Sequence, residues 1–164
     1  MLGPLPMRIL FTTVKNTEFL SSVNTNSYYF RQYDIRFLAL NVKGKQKSLD
    51  CLQLGTDHEK TSVMGLMKLF EVSGIHHSNS GLQITRDMYI NDYFMLLFDE
   101  TPDRGASEGY ISHLNYATIT VKLKFSKVLP EPITCIFYLE FDHSILNHKS
   151  INVSRDFKKL FRRR

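Results

Sequence analysis

One stretch of the sequence has the spacing of a catalytic serine. Residues 105–109 are Gly-Ala-Ser-Glu-Gly, which matches the G-x-S-x-G nucleophile elbow and would make Ser107 the nucleophile. In that motif a strand runs directly into a sharp turn and a helix follows. Here residues 101–104 separate the motif from the preceding apolar run, and no helical pattern comes after it. The sequence therefore favours a chance match in a loop, and it predicts that the protein is not an enzyme.

Potential metal ligands lack a recognised spacing. No two of the six histidines form a His-x-His pair, and the adjacent His76 and His77 would point to opposite sides of a strand. Four acidic residues are close enough in sequence to suggest calcium, but they do not follow a D-x-D-x-D-G loop: Asp99, Glu100, Asp103 and Glu108. Phosphate-binding glycine patterns are also missing. We expect surface imidazoles, a solvated acidic loop, and no metal or cofactor.

An aromatic cluster stands at a predicted boundary between loop and strand. It comprises Tyr28, Tyr29, Phe30 and Tyr33. Exposed rings of this kind can stack on nucleic-acid bases or contact another subunit. The favoured alternative is ordinary packing beneath a loop.

The positive charge is concentrated at the C-terminus. The net charge is +5, and the last ten residues hold six bases against one acid, which equals the whole excess. These bases are Arg155, Lys158, Lys159, Arg162, Arg163 and Arg164. The tail, residues 155–164, could contact nucleic-acid phosphates, act as an import signal or membrane-surface arm, or simply aid solubility. Residues 1–154 are neutral overall and are predicted to form a single domain.

The composition is that of a globular protein with a hydrophobic core. Hydrophobic residues make up 43% of the chain and charged residues 23%. Cys51 and Cys135 have no redox or metal spacing, so we expect two reduced, buried thiols, with a disulfide between them as the alternative. Residues 1–8 lack a signal-peptide pattern, and no apolar run approaches the roughly 20 residues that span a bilayer. These features predict an intracellular, nuclear or virion location rather than secretion.

Alternating apolar residues predict at least six strands. The clearest is 117–125, in which apolar Ile119, Val121 and Leu123 alternate with threonines and lysines. Lys43-Gly44 is typical of a hairpin turn. In the last strand, Cys135, Phe137, Leu139 and Phe141 are predicted to point inward. The predicted strands are 7–14, 34–42, 45–54, 91–99, 117–125 and 133–141, with loops at 15–27 and 100–109.

One segment has a helical period instead. It predicts a helix of about three turns, capped by Thr61 or Ser62, ending at Gly74 and lying against the sandwich. Its predicted core face is formed by Val63, Leu66, Met67 and Phe70. Many strands with one short helix argue against a βαβ fold. We therefore predict an all-β, antiparallel jelly-roll β-sandwich with one short helix.

Six segments resemble recurring segments of one protein family. They are Tyr28-Tyr29-Phe30, NVKGKQ at 41–46, DHEKTSVMG at 57–65, GIHHSNSGLQIT at 74–85, DETPD at 99–103 and YLEFD at 138–142. Together they are similar to the hexon-type capsid proteins encoded by Polinton (Maverick) elements and related animal viruses, over residues 4–157.

The resemblance implies a double jelly-roll capsid subunit that trimerises, of which this chain would be the C-terminal jelly roll. It implies self-association or contact with other capsid-type subunits, and it offers no catalytic or cofactor residues. Loops 55–61, 74–92 and 100–116 are long enough to form subunit contacts. Two other functions remain as alternatives: a non-catalytic module that binds carbohydrate or another ligand, and a nucleic-acid-associated protein that acts through the tail.

Overall fold

The computed structural model describes residues 3–20, 25–53, 58–75, 81–106, 116–141, 146–147 and 153–154. Its long strands are β2 (Arg8–Lys15), β3 (Ile35–Val42), β4 (Lys45–Gln53), β5 (Met95–Asp99), β7 (Ile119–Phe125) and β8 (Ile133–Glu140). Its short strands are β1 (Gly3–Pro4), β6 (Tyr116–Ala117), β9 (Leu146–Asn147) and β10 (Val153–Ser154), and its helices are α1 (Asn16–Phe19), α2 (His58–Ser73) and α3 (Arg86–Asn91). The predicted mostly-β class is confirmed.

Two three-stranded antiparallel sheets form the body of the described structure. One has the order β5-β2-β8 and the other the order β4-β3-β7. Two small antiparallel pairs, β1-β6 and β9-β10, accompany them. No helix in the described part of the chain is long and apolar enough to cross a membrane.

In the described part of the chain, one hydrophobic core joins both sheets to α2 and α3. Ile9 and Phe11 of β2 lie opposite Phe98 and Leu96 of β5, so alternate residues of the two strands bury the same face. The remaining fully or nearly buried members of the core come from β3, α2, α3 and the residue before β5: Ile35, Leu38, Leu40, Leu69, Tyr89 and Phe94. Half-buried apolar side chains of β7 pack against this core.

The alternation predicted for β7 is confirmed. Ile119, Val121 and Leu123 lie against the core, whereas Lys122 and Lys124 are exposed. The hairpin between β3 and β4 is confirmed as well, with φ of 55° at Lys43 and 74° at Gly44. Two consecutive positive φ angles define the turn that matches strand twist, and glycine adopts such an angle without steric cost.

The prediction for the long helix was right in kind and wrong in extent, and its predicted core face was right for Leu66 but wrong for Val63 and Met67. The helix begins at His58, so Thr61 and Ser62 lie within it and residues 58–61 are not loop. It spans 16 residues, about 24 Å at 1.5 Å per residue. Val63 and Met67 are exposed, whereas Gly65 and Leu69 are buried.

The close approach of α2 to its neighbours explains this orientation. A Cβ at Gly65 would lie 2.5 Å from the Tyr89 hydroxyl oxygen and 3.2 Å from Cδ2 of Leu96. Because glycine has no Cβ, the helix can contact Tyr89 and β5 through this side. The apolar Val63 and Met67 are thereby turned towards solvent.

Two further helices occur where none was predicted, so the prediction of one short helix was wrong. Helix α1 falls in the predicted loop 15–27, and α3 replaces both the end of the predicted loop 74–92 and the start of the predicted strand 91–99. Helix α3 begins after Thr85, whose side chain accepts a hydrogen bond from the backbone N–H of Met88 at 3.3 Å. The polar residues around this threonine had favoured a loop.

Candidate protein-interaction site

Strand β8 carries three consecutive large apolar side chains that are exposed to solvent. The exposed fractions are 40% for Phe137, 65% for Tyr138 and 43% for Leu139. Successive residues of a strand point to opposite faces, so β8 is incompletely covered on both faces. These three residues, on the outer strand of their sheet, are called the β8 edge below.

The inner face of the β8 edge continues the hydrophobic core. Phe137 lies opposite Phe11 and Leu139 lies opposite Ile9 in the register of β8 with β2. The ring centroids of Phe11 and Phe137 are 5.0 Å apart. Phe11 and Ile9 on β2 are fully buried, whereas Phe137 and Leu139 on the neighbouring strand β8 are partly exposed. The inward direction predicted for Phe137 and Leu139 is confirmed by the register, but their expected burial is not.

The opposite edge of the same sheet is better protected. Helix α2 packs against β5, where Leu96 and Phe98 are buried. Within the described ranges, β8 pairs with β2 alone. Among the described residues, the sheet is therefore covered beside β5 by α2, and no strand covers it beside β8.

Charge is sparse along β8. Residues 133–139 are uncharged, and the one acid, Glu140, forms a two-pronged ion pair with Arg8 at 2.8 Å for each contact. Exposed edge strands commonly carry lysines or prolines that prevent pairing with other chains. Residues 133–139 contain neither. The β8 edge is thus an exposed apolar surface without the residues that commonly prevent pairing between strands.

A second exposed apolar region lies at the end of the sandwich where β2 ends and β3 begins. Tyr28 is 74% exposed, and its ring contacts that of Phe30 edge-on at 6.4 Å. The guanidinium of Arg31 lies 4.3 Å from the ring centroid of Tyr29. Tyr93 joins the group because its residue forms a parallel bridge with Phe30. The predicted aromatic cluster is therefore a partly exposed surface, and the favoured interpretation as core packing was wrong for Tyr28.

Glu131, in the connection from β7 to β8, forms the electrostatic centre of this end. Its carboxylate lies 2.6 Å from Nζ of Lys15 and 4.0 Å from Nη1 of Arg31, and it accepts a hydrogen bond from the Tyr33 hydroxyl at 3.2 Å. The hydrogen bond from Lys15 is the main cause that lowers the pKa of Glu131. Partial burial, followed by the charge of Glu131, raises the pKa of Tyr33 to about 12. The cluster therefore links Lys15, the last residue of β2, to Arg31 and Tyr33 in the segment before β3, and it is called the Glu131 clamp below.

The Glu131 clamp should make stability depend on acid pH. A lowered pKa means that the contribution of Glu131 is present above its ordinary value of 4.5 and is lost as the pH falls through the folded-state pKa. We expect the melting temperature of wild type to exceed that of Glu131→Gln at about pH 6, and the two curves to converge towards about pH 3. Thermal unfolding across this range measures the difference, with Glu71→Gln on the exposed side of α2 as the control. A difference that stays constant with pH would show that the ion pairs contribute nothing.

Comparison with known proteins returns no match. No family model fits the sequence, and neither a curated protein nor a solved structure is similar to it.

The prediction of a solvated acidic loop was wrong for Asp99 and Glu100, which are buried. The buried carboxylate of Asp99 accepts hydrogen bonds from Thr101, through N–H at 2.8 Å and Oγ1 at 2.5 Å, and from the Ala106 N–H at 3.1 Å. Asp103 accepts one from the Gly105 N–H at 3.3 Å. Among the residues that the structure describes, no three His, Cys, Asp or Glu side chains are grouped to hold a metal ion. Glu108 lies outside the described residues.

The G-x-S-x-G segment does not continue a strand. Strand β5 ends at Asp99, and residues 100–104 come between it and Gly105. Ser107 itself lies outside the described residues, as does the basic tail at 155–164 with all six of its cations. The histidine side chains are likewise outside the described part, so their predicted surface role stays a prediction.

Cys135 is an exposed, free thiol, so the expectation of burial was wrong for this residue. It lies opposite Thr13 in β8, on the same face as Phe137. Neighbouring atoms still remove part of its hydration, which raises the pKa of the thiol and makes the reactive thiolate scarcer at neutral pH. The side chain of Cys51 lies outside the described residues.

The β8 edge was not predicted as a site, because the residue pattern of β8 is that of any buried strand. The inward residues were identified correctly, but the position of a strand within a sheet depends on which other strands pair with it. The uncharged run 133–139 was the available signal.

Proposed function

We propose that the protein is a structural, capsid-like (hexon-type) jelly-roll domain from a virus-derived or Polinton-type element, and that it acts by self-assembly. The observation that carries the proposal is the β8 edge. Phe137 and Leu139 point towards the core, yet each is about two-fifths exposed. A second subunit that covers this edge would complete the core, as subunit interfaces with an apolar centre do.

The order of strand pairing supports the jelly-roll part of the proposal. The first long strand, β2, pairs with the last, β8, and the second, β3, pairs with the one before last, β7. Nested antiparallel pairs of this kind arise when a long two-stranded ribbon is wound around a core. A jelly roll has eight strands in two sheets. The described residues supply three long strands to each sheet, with short pairs beside them.

The distribution of charge is compatible with assembly. Residues 1–154 carry no net charge, so the domain bodies do not repel one another through their overall charge. The six cations of residues 155–164 would be available to bind nucleic-acid phosphates. Such binding would be sensitive to salt, whereas contacts at the apolar β8 edge would not.

The exposed aromatic end favours a second candidate function, the binding of a carbohydrate or another flat ligand. Tyr28 and Tyr93 have exposed aromatic rings. Arg31 and Lys15 supply charged groups at the same end of the sandwich. Aromatic faces beside a few polar groups are common in such sites. This candidate does not require self-association, which separates it from the first.

The mass of the purified chain in solution tests the proposal. Light scattering at about 50 mM and about 500 mM salt should give a stable trimer of the 19.1 kDa chain at both salt concentrations. Persistence at high salt would indicate an apolar contact. A monomer at every concentration would overturn self-assembly by this chain and leave the aromatic end as the better-supported site. Association that disappears at high salt would point to the tail instead.

A further inference from the structure

We propose that β8 is itself a contact between copies of the chain. In this arrangement two molecules place their β8 strands side by side and antiparallel about a two-fold axis, which joins their β5-β2-β8 sheets into one continuous sheet. The inference rests on the proposed self-assembly and names the strand, the geometry and the partner.

The backbone of β8 is suited to pairing. All eight of its residues are in register with β2 without a shift, from Lys15↔Ile133 to Arg8↔Glu140. Both pairings of β3 in the other sheet contain a shift, near Ala39 and near Ile35. Such irregularities bend a strand and interrupt its hydrogen bonds. Among the described residues no strand pairs with the other side of β8, so this regular strand offers a row of N–H and C=O groups to a new strand.

The charges of β8 favour a second copy as the partner. In an antiparallel arrangement with the two-fold axis at Phe137, Phe137 lies opposite Phe137 of the other copy and Glu140 lies opposite its neutral Thr134, so no like charges meet. Glu140 also keeps its intramolecular partner, Arg8. A basic or acidic peptide would find no complementary row of charges along residues 133–139. The uncharged strand is therefore complementary to itself.

The same pairing would bring apolar side chains into contact on both faces of β8. On the inner face, Phe137 and Leu139 of the two copies would lie next to each other, and on the outer face Tyr138 would meet apolar neighbours. Aromatic and aliphatic pairs across strands stabilise antiparallel sheets. Strand β7, at the edge of the other sheet, exposes Lys122 and Lys124 and lacks this advantage.

A two-fold contact through β8 would be separate from the three-fold contact of the expected trimer, which would use another surface. Each trimer would present three β8 strands, and their pairing would link trimers to one another. Closed shells need contacts both within and between such units. We therefore expect species larger than a trimer at high protein concentration.

The variant Tyr138→Lys tests the contact. Tyr138 is 65% exposed, so lysine is tolerated in the isolated fold but places a charge at the proposed interface. We expect the concentration for half-maximal two-fold association, measured by analytical ultracentrifugation, to rise by about tenfold or more. Val128→Lys is the matched control, because it makes the same kind of change at a residue that is 95% exposed and outside β8. Circular dichroism and thermal unfolding establish that both variants are folded.

Hydrogen exchange of the wild-type chain gives a readout that does not depend on a variant. Amides of β8 should exchange more slowly at high than at low protein concentration, while those of β7 should not change. Unchanged association in Tyr138→Lys, or β8 amides with no dependence on concentration, would overturn the β8 contact and leave self-assembly through another surface standing. A wild-type chain that stays monomeric would overturn both.

Discussion

The variant Asp99→Ala is expected to lower the free energy of unfolding by about 3 kcal/mol. The carboxylate is buried and accepts hydrogen bonds from Thr101 N–H, Thr101 Oγ1 and Ala106 N–H. Hydrogen bonds to a charged group each contribute more than neutral ones, and alanine leaves the two backbone donors without their acceptor. Urea denaturation followed by circular dichroism measures the loss.

Two variants separate the loop contacts from a general effect of charge. Asp103→Ala removes an acid from the same loop, but that acid is exposed and accepts a single bond at 3.3 Å, so we expect a loss within about 0.5 kcal/mol. Asp99→Asn keeps the shape and one good acceptor and should give an intermediate loss. If Asp99→Ala and Asp103→Ala were equally stable, the carboxylate of Asp99 would not be what holds the loop.

The variant Gly65→Ala is expected to cost about 2 kcal/mol of unfolding free energy. The added Cβ would lie 2.5 Å from the Tyr89 hydroxyl oxygen, and that hydroxyl donates a hydrogen bond of 2.7 Å to the Met95 carbonyl. Tyr89 is fully buried, so its ring has little room to move. Alanine favours the helix by about 1 kcal/mol over glycine, but overpacking and the disturbed hydrogen bond outweigh that gain. Denaturant unfolding gives the value.

A glycine elsewhere provides the control for the Gly65 variant. A Cβ at Gly81 would meet only Cε1 of Phe70, at 4.0 Å, so Gly81→Ala should leave stability within about 0.5 kcal/mol of wild type. Removing the hydroxyl should relieve the clash, so Gly65→Ala should cost less in a Tyr89→Phe background than in wild type. Equal costs in the two backgrounds would mean that contact with the Tyr89 hydroxyl is not the cause.

Patterns with a local physical origin were predicted well. The alternation of apolar and polar residues in β7 indicates which face of the strand is exposed to solvent. The Lys43-Gly44 turn depends on the φ angles of two adjacent residues. Both were confirmed because neither depends on distant parts of the chain. The buried face of helix α2 could not be predicted from local sequence alone. Its sequence has apolar residues around more than one face, and contact of Gly65 with Tyr89 and Leu96 decides which of them is buried.

The same distinction between local and long-range properties applies to the candidate site. The sequence indicated that Phe137 and Leu139 point to the core and that Tyr28 belongs to an aromatic cluster. It could not indicate that β8 would be the outer strand of its sheet, or that Tyr28 would remain exposed. The partners of Glu131 were also invisible in the sequence, because Lys15 and Tyr33 lie about a hundred residues away and are brought to it by strand pairing.

By itself the sequence determined the mostly-β class, the positions of most strands, the β3-β4 turn and the placement of the net charge in residues 155–164. These properties follow from residue type and short-range spacing, which fix backbone angles and the side of a strand that avoids water. Only the tertiary structure decided the strand order, the buried face of α2 and the exposure of β8. Those properties depend on which strands pair over long sequence separations, where many arrangements satisfy the same local pattern and packing selects one.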